Sequence, residues 1–515
     1  MAEHVDAVVI GAGLGGLAAA AALAGAGREV LVLEQAAEPG GYAQSFRRGA
    51  YRFDTGLHAL NGLAPGGGAD LVYRALGIDT RIRLRRLDPL YLLRLPDRDV
   101  VAHADLFQYE SELIGALPAA AAGVRAYLDE VLAVYRDTRR MAEDQEFARM
   151  PSAAAFASRY PALTRAANET WGQLIGRHVP DPRAQTVLGA LWGYVGLPPS
   201  RCSAVVGTGL VGSYHEHGGW YPDGGARALT DAVAETVALR GGRIRYGQPV
   251  TAVQTAGEHA VAVTTGDGSS IEADVFVSGA SAPTTMLELV GRDRLPADYV
   301  ARVATPMPSY TTFSVFLGLD RDLPAERGLP HETFLPGSAD PETGYRAALA
   351  GDWIHADLSI TDYTRVDPGC APPGHCALVL TATAAWDHDD TWGTGGDLTD
   401  YHSNPRYLAA KNRAADALIG RAAAVLPELE SAIREREAAT PLTNYFYTRN
   451  PRGAIEGYEN SVANSGFGWL PQQTPIANLF LAGAWTNTGG MNPALTSGLT
   501  AARLAMGQAR VGAPA

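Results

Sequence analysis

The opening of the chain alternates between short apolar runs and glycine-rich breaks. Ala7–Ile10 and Val30–Leu33 contain no polar residue, the pattern of buried strands in a parallel sheet covered on both faces. Between them, Gly11-Ala12-Gly13-Leu14-Gly15-Gly16 interrupts the first run, and the alanine-rich stretch to Gly27 predicts a helix. Residues 7–27 carry no charge, which a hydropathy window would read as a membrane span. Glycines at turn positions and an acidic leader through Asp6 argue for strand, turn and helix instead. Farther on, 107–175 has long helical patterns and Ala226–Leu239 predicts a helix ended by Gly241-Gly242. Strand-like stretches follow at Arg243–Tyr246, Ala260–Thr264, Asp274–Val277, Ser309–Leu317, Ala377–Thr383 and Asn478–Leu481. A last helix runs to about Met506, with Pro493 in its first turn, where proline is tolerated.

Composition narrows the chemistry. The 515 residues suffice for two or three substructures. There are 58 glycines, above the usual ~7%, without a collagen period. The basic residues include a single lysine, Lys411, so P-loop chemistry is excluded and one Schiff-base candidate remains. A net charge of −13 argues against a nucleic-acid partner. The cysteines Cys202, Cys370 and Cys376 do not form a secreted disulfide framework; two reduced loop cysteines are expected at 370 and 376, and a cytoplasmic location.

The strand, glycine turn, helix and second strand ending at Glu34 form a dinucleotide-binding unit. Gly11 permits the tight turn, Gly13 lets a pyrophosphate approach the backbone, and Gly16 lets helix and strand pack. Leu14 and Gly15 open the helix whose N-terminus faces the phosphates, and Glu34, followed by Gln35, is placed to accept from a ribose hydroxyl. Gly207–Gly212 repeats the glycine spacing but lacks the following strand and acid, and reads as a chance match. The pair Gly40-Gly41, with Tyr42, suits a cofactor extended across the domain, as FAD lies. Near the C-terminus, Gly483-Ala484-Trp485 ends a buried strand, and Gly489-Gly490-Met491-Asn492-Pro493-Ala494 opens a helix whose positive end suits a flavin ring. No separate NAD(P)H domain is expected.

At these residues the chain resembles the phytoene desaturase superfamily of flavoproteins, especially its carotenoid isomerase and retinol saturase branch. The resemblance runs nearly end to end. It includes Phe53-Asp54-Thr55-Gly56-Leu57-His58, Gly193-Tyr194-Val195-Gly196-Leu197-Pro198-Pro199-Ser200, and Gly219-Trp220-Tyr221-Pro222-Asp223-Gly224-Gly225, besides the Phe480–Ala494 tail. Two positions depart from the family pattern. Pro39 stands where many relatives carry arginine, and Gly483-Ala484-Trp485 lacks an acidic residue often found there. The resemblance implies an α/β fold: a Rossmann-type FAD-binding domain, glutathione-reductase-like with two dinucleotide-binding motifs, interleaved with a mixed α+β substrate domain. FAD-binding segments are expected at 1–80, 216–290 and 441–515, substrate segments at 81–215 and 291–440. Gly56, Leu57, His58, Val250, Gly279 and Ala280 join the expected cofactor contacts.

Acid–base help is optional when a flavin accepts hydride. His58 is the first candidate for proton delivery or substrate orientation, against a plain hydrogen-bonding role in the FAD domain. Tyr214, His215, Glu216 and His217 form the densest titratable cluster and either line the substrate cavity or form a solvated turn; with no third ligand in view, no metal is expected. Trp192, Tyr194, Trp220, Tyr445 and Trp485 are candidates for an aromatic cavity wall, against ordinary core packing. Arg81, Arg83, Arg85 and Arg86 read as one basic strand face, solvated by default and otherwise suited to acidic lipid. The sequence therefore points to an FAD oxidoreductase acting on carbon–carbon bonds of an apolar polyene or isoprenoid-like substrate, with an external electron acceptor and a peripheral membrane contact as a further option. Desaturation comes first. Isomerisation and saturation share the same features, and an amine oxidase or a non-enzymatic binding protein of the GDP-dissociation-inhibitor type are the other readings.

Overall fold

The computed structural model describes residues 3–144, 152–387 and 390–508. Two seven-stranded sheets organise them. The first begins with β1 (Glu3–Ile10), then α1 (Leu14–Gly25) and β2 (Val30–Leu33). All four residues of β2 are buried, as a strand covered on both faces requires. Arg243–Arg245, β2, β1, β3 (Ser270–Ser278) and β4 (Leu479–Leu481) run parallel, and His259–Thr265 and Val250–Ala256 extend the sheet antiparallel beside β3. The Val250–Ala256 strand is one that the apolar pattern does not signal, because its side chains are largely exposed.

The register positions the site. Ile10 pairs with Leu33 and with Ser278, and Ser278 pairs with Leu481. The carboxyl ends of β2, β1, β3 and β4 thus stand level along one edge, where ligands bind in open α/β sheets. α1 packs beneath against Gly225–Leu239 and against α2 (Met491–Gln508). Gly11 turns the chain at φ +90°, and a Cβ on Gly16 would lie 2.1 Å from the Gly11 carbonyl oxygen, so only glycine allows this approach.

The second sheet is built from Ile433–Ala439, Thr311–Leu319, Cys376–Ala384, Leu358–Asp362, Glu332–Leu335, Tyr91–Arg94 and Asp99–Ala102, in that order. It is antiparallel except where Glu332–Leu335 meets Tyr91–Arg94. Thr311–Leu319 is buried almost throughout, and its core continues into the helix Pro405–Ala423. Helices Ala121–Glu143, Trp171–His178 and Ala204–His217 pack together, and the first and last of them line the cavity between the sheets. Fold and composition agree on the expected class: a Rossmann-type unit and a mixed second domain, with strands of the two sheets alternating along the chain.

Several local expectations change. The glycines of 207–212 lie inside the helix Ala204–His217. A Cβ on Gly207 would meet the Trp171 ring at 2.3 Å, and one on Gly212 would meet Tyr135 at 2.6 Å, so these glycines serve helix packing. Of the basic strand only Leu84–Leu87 is extended. Arg81 donates to Thr236 Oγ1 at 3.1 Å and pairs with Glu235, while Arg83 and Arg85 share Asp223; the basic face is largely neutralised. The three cysteines are free and buried. No described helix is long and apolar enough to cross a membrane.

Candidate functional site

A cavity of about 1500 Å³ runs from the level strand ends to the second sheet, larger than the usual ~300–1,000 Å³ of a single small-ligand pocket. At its β1 end, α1 begins at Gly13 without any side-chain cap, and the space beside Gly13 is open. Its first N–H groups therefore face the cavity unspent, with the positive end of the helix behind them. Beyond β2, Glu34 is held by N–H donors from Ala12 at 2.6 Å and Ala36 at 2.8 Å. Each oxygen keeps a lone pair for another donor.

The expected cofactor residues gather here. Gly11, Gly13, Leu14, Gly15, Glu34, Gln35, Gly40, Gly41, Tyr42, Gly56, Leu57, His58, Val250, Gly279, Ala280, Gly483, Ala484, Gly490, Met491, Asn492 and Ala494 all line the cavity. Gly16 lies behind it, against Gly11. Gly489 also lines the cavity, and a Cβ there would fall 2.2 Å from Cβ of Glu456. An uncapped helix N-terminus, an acid at the end of β2 and glycine turns after β3 and β4 fit an extended dinucleotide.

His58 stands on the cavity wall. Its Nδ1 is 2.8 Å from Thr361 Oγ1 and 3.4 Å from Glu332 Oε2, and Thr361 donates to Glu332 at 2.9 Å. Thr361 has one hydrogen and spends it on Glu332, so His58 Nδ1 is the donor to Thr361 Oγ1. The His58 carbonyl meets His331 Nε2 at 2.8 Å, and the ring lies 5.9 Å from that of Tyr194. Glu332 is 1% exposed, with Oε1 unpartnered.

The other candidates divide by helix geometry. Tyr214 lines the cavity, but His215, Glu216 and His217 do not. They end the helix Ala204–His217 rather than forming a solvated turn, and successive residues of a helix point about 100° apart. His215 stacks on Tyr109 at 4.2 Å, and burial pushes its imidazole down to about 4. His217 Nε2 faces Arg139 at 2.8 Å, and Glu216 pairs with Arg136. Trp192, Tyr194 and Trp485 line the cavity. Trp220 and Tyr445 do not: Trp220 donates to the His217 carbonyl at 2.8 Å, and the Tyr445 ring packs on Trp386. Its neighbours Asn444, Phe446 and Tyr447 take the wall instead, Tyr447 70% exposed.

Asp357 and Glu456 are among the wall carboxyls that escaped the sequence reading. Asp357 accepts from Trp192 Nε1 at 3.1 Å and the Gly337 N–H at 2.9 Å, and burial raises it to about 6. Glu456 is raised further, to about 8, by burial. No motif surrounds either residue.

Fold and site together define a flavoprotein of the dinucleotide-binding type with a large second chamber beside the cofactor groove. The family of flavin containing amine oxidoreductases matches residues 14–393 and 417–506, and the chain belongs to it. Within it the chain stands with the desaturase, isomerase and saturase branch: it is 31% identical to a phytoene dehydrogenase of Streptomyces griseus, over 99% of this chain and 97% of that one. It is 25% identical to a prolycopene isomerase of an Oncidium hybrid, covering 94% and 80%, and 25% identical to the human all-trans-retinol 13,14-reductase, covering 96% and 85%. Among solved structures, a putrescine oxidase bound to putrescine superposes with a TM-score of 0.65 at 14% identity, covering 98% of this chain and all of that one, a likeness of fold. The protein is an FAD-dependent oxidoreductase, which sets aside the non-enzymatic binding-protein reading.

Proposed function

We propose that the enzyme desaturates an elongated apolar substrate, a polyene or isoprenoid-like chain, and passes the electrons to an external acceptor. The observation that carries this reading is the chamber beyond the cofactor groove. Its wall includes Leu93, Trp192, Tyr194, Phe316, Phe334 and Leu335, a surface that favours transfer of an apolar chain from water. The names of the 31% and 25% identical relatives support the same substrate class. When bound, FAD supplies a hydride acceptor.

The chain's own residues bind and orient. Gly11, Gly13 and the α1 N-terminus would hold the pyrophosphate, Glu34 a ribose, and the turns at Gly279, Gly483 and Gly490 the flavin half. His58, fixed through Thr361 and Glu332, would orient the substrate or move its proton. The segments 1–80, 216–290 and 441–515 would form the cofactor unit, and the rest the substrate unit, a division the sheet membership supports. Exposed Phe446 and Tyr447 beside the cavity support a peripheral membrane contact through which an apolar substrate would enter.

Isomerisation or saturation of a double bond is the second reading, supported by the isomerase and reductase among the relatives. Anaerobic mixing of the FAD-loaded protein with polyenes decides. Loss of the visible flavin absorbance supports desaturation, and conversion only after prior reduction supports the second reading. If polyenes do nothing and a primary amine bleaches the flavin, the substrate is an amine and both fall.

A further inference from the structure

Glu456 is a carboxyl group without a counter-ion. Its Oε2 accepts from Asn460 Nδ2 at 3.0 Å, and Asn460 Oδ1 accepts from Thr488 Oγ1 at 3.4 Å. Among the described residues no cation pairs with it, and burial in the wall is the main influence on its ionisation. The titratable groups that face it are Tyr310 and Cys202, both driven up first by burial and then by the charge of Glu456. Neither ionises near neutrality. The other carboxyl oxygen has no hydrogen-bond partner among the described residues, yet it is not sealed among the buried unpartnered atoms, and Glu456 lines the cavity.

Position adds to this. Gly489, the second residue before α2, carries no side chain, and Glu456 occupies the space a Cβ there would take. The carboxyl therefore lies at the α2 end of the cavity, where Gly483 and Gly490 also line it. His58 lies in the loop after Tyr51–Asp54, and its Glu332 support is on the strand Glu332–Leu335; Glu456 is a separate acid.

We propose that Glu456 is the proton-exchanging carboxyl of this site, holding at its free oxygen the proton that leaves or enters a substrate carbon. This rests on the desaturase or saturase reading above. Removing two hydrogens from a CH–CH unit releases a hydride, which the flavin accepts, and a proton. The second C–H bond breaks as the O–H bond on Glu456 forms, and its electron pair becomes the new π bond. Addition to a double bond is the reverse: the Glu456 O–H bond breaks, the proton joins one carbon and a hydride from the reduced flavin joins the other.

The direction of the pH limb then reports the direction of the chemistry. With the carboxyl near 8, desaturation needs the ionised form and accelerates as pH rises through 8. Saturation needs the acid and slows over the same range.

Two measurements test this on the FAD-loaded full chain. Infrared difference spectra without substrate, titrated from pH 6 to 10 about the midpoint near 8, should show a protonated-carboxyl carbonyl band that disappears at that midpoint and is missing in Glu456→Gln. Anaerobic stopped-flow flavin reduction by a reactive polyene, or reoxidation by one, should slow about 10²–10⁴-fold in Glu456→Gln and lose its pH limb. Glu456→Asp should keep the limb at a reduced rate, and it serves if the glutamine variant does not fold. A wild-type spectrum without the band, or a glutamine variant with the wild-type pH profile, overturns the proposal. If the band behaves as expected while no polyene reacts, the proton-holding acid stands and the substrate assignment above fails.

Discussion

His58 Nδ1 lies 2.8 Å from Thr361 Oγ1, a contact that joins the first cofactor segment to a strand of the second sheet. The hydroxyl passes the histidine on to Glu332. The imidazole is thereby fixed in rotation and tautomer, as a carboxylate behind a histidine does in other enzymes. In the FAD-loaded protein, His58→Ala should slow the reductive half-reaction about 10²-fold. Thr361→Val should slow it less. Rapid-mixing flavin absorbance reads both, and a wild-type rate in His58→Ala would reduce the residue to a strut between domains.

Gly16 and Gly11 test the cofactor groove. A methyl group at residue 16 would need the 2.1 Å now separating its position from the Gly11 carbonyl. Gly16→Ala should force α1 away from β1, cost about 1–3 kcal/mol, and yield protein that purifies with little flavin. The absorbance ratio of flavin to protein and the thermal midpoint measure the two effects.

The glycine turn was legible from sequence because its constraint is local: residues 11–16 must turn, approach a phosphate and pack within one helical turn. The acid–base surroundings were not. His58 stood out, but its partners Thr361 and Glu332 come from distant segments and meet it only when the sheets assemble, and Glu456 lies in a separate segment with no motif around it. The Tyr214–His217 cluster misled for a related reason. Neighbours in sequence look like one site, but on the helix Ala204–His217 they face the cavity, Tyr109, Arg136 and Arg139 in turn.

His215 makes stability depend on pH. Burial lowers its folded value from 6.5 to about 4, so the unfolded chain binds the extra proton first. Its contribution is complete above pH 6.5 and is lost as pH falls toward 4, on the order of 3 kcal/mol. Chemical denaturation of wild type and His215→Phe across this window should show a weaker acid dependence in the variant. Equal dependence would assign the acid sensitivity elsewhere.

Phe446 and Tyr447 are exposed on the short helix Pro441–Thr448 and line the cavity wall. Phe446→Ser with Tyr447→Ser should lower the partition coefficient onto phosphatidylcholine vesicles about 10²-fold or more, each large apolar side chain contributing about 1.5–3 kcal/mol when buried. Turnover of a substrate dispersed in detergent should stay near wild type. Undiminished vesicle binding would place the membrane contact on another face.

The level ends of β2, β1, β3 and β4 bring together residues 33, 10, 278 and 481, and the strands of the second sheet lie in the chain between them. One ligand seated across that edge therefore acts as a clasp on three chain loops, two of which enclose most of the molecule. Its binding energy adds to the folded state alone. Supply of the cofactor would then govern how much intact enzyme a cell holds, as well as how much of it is active.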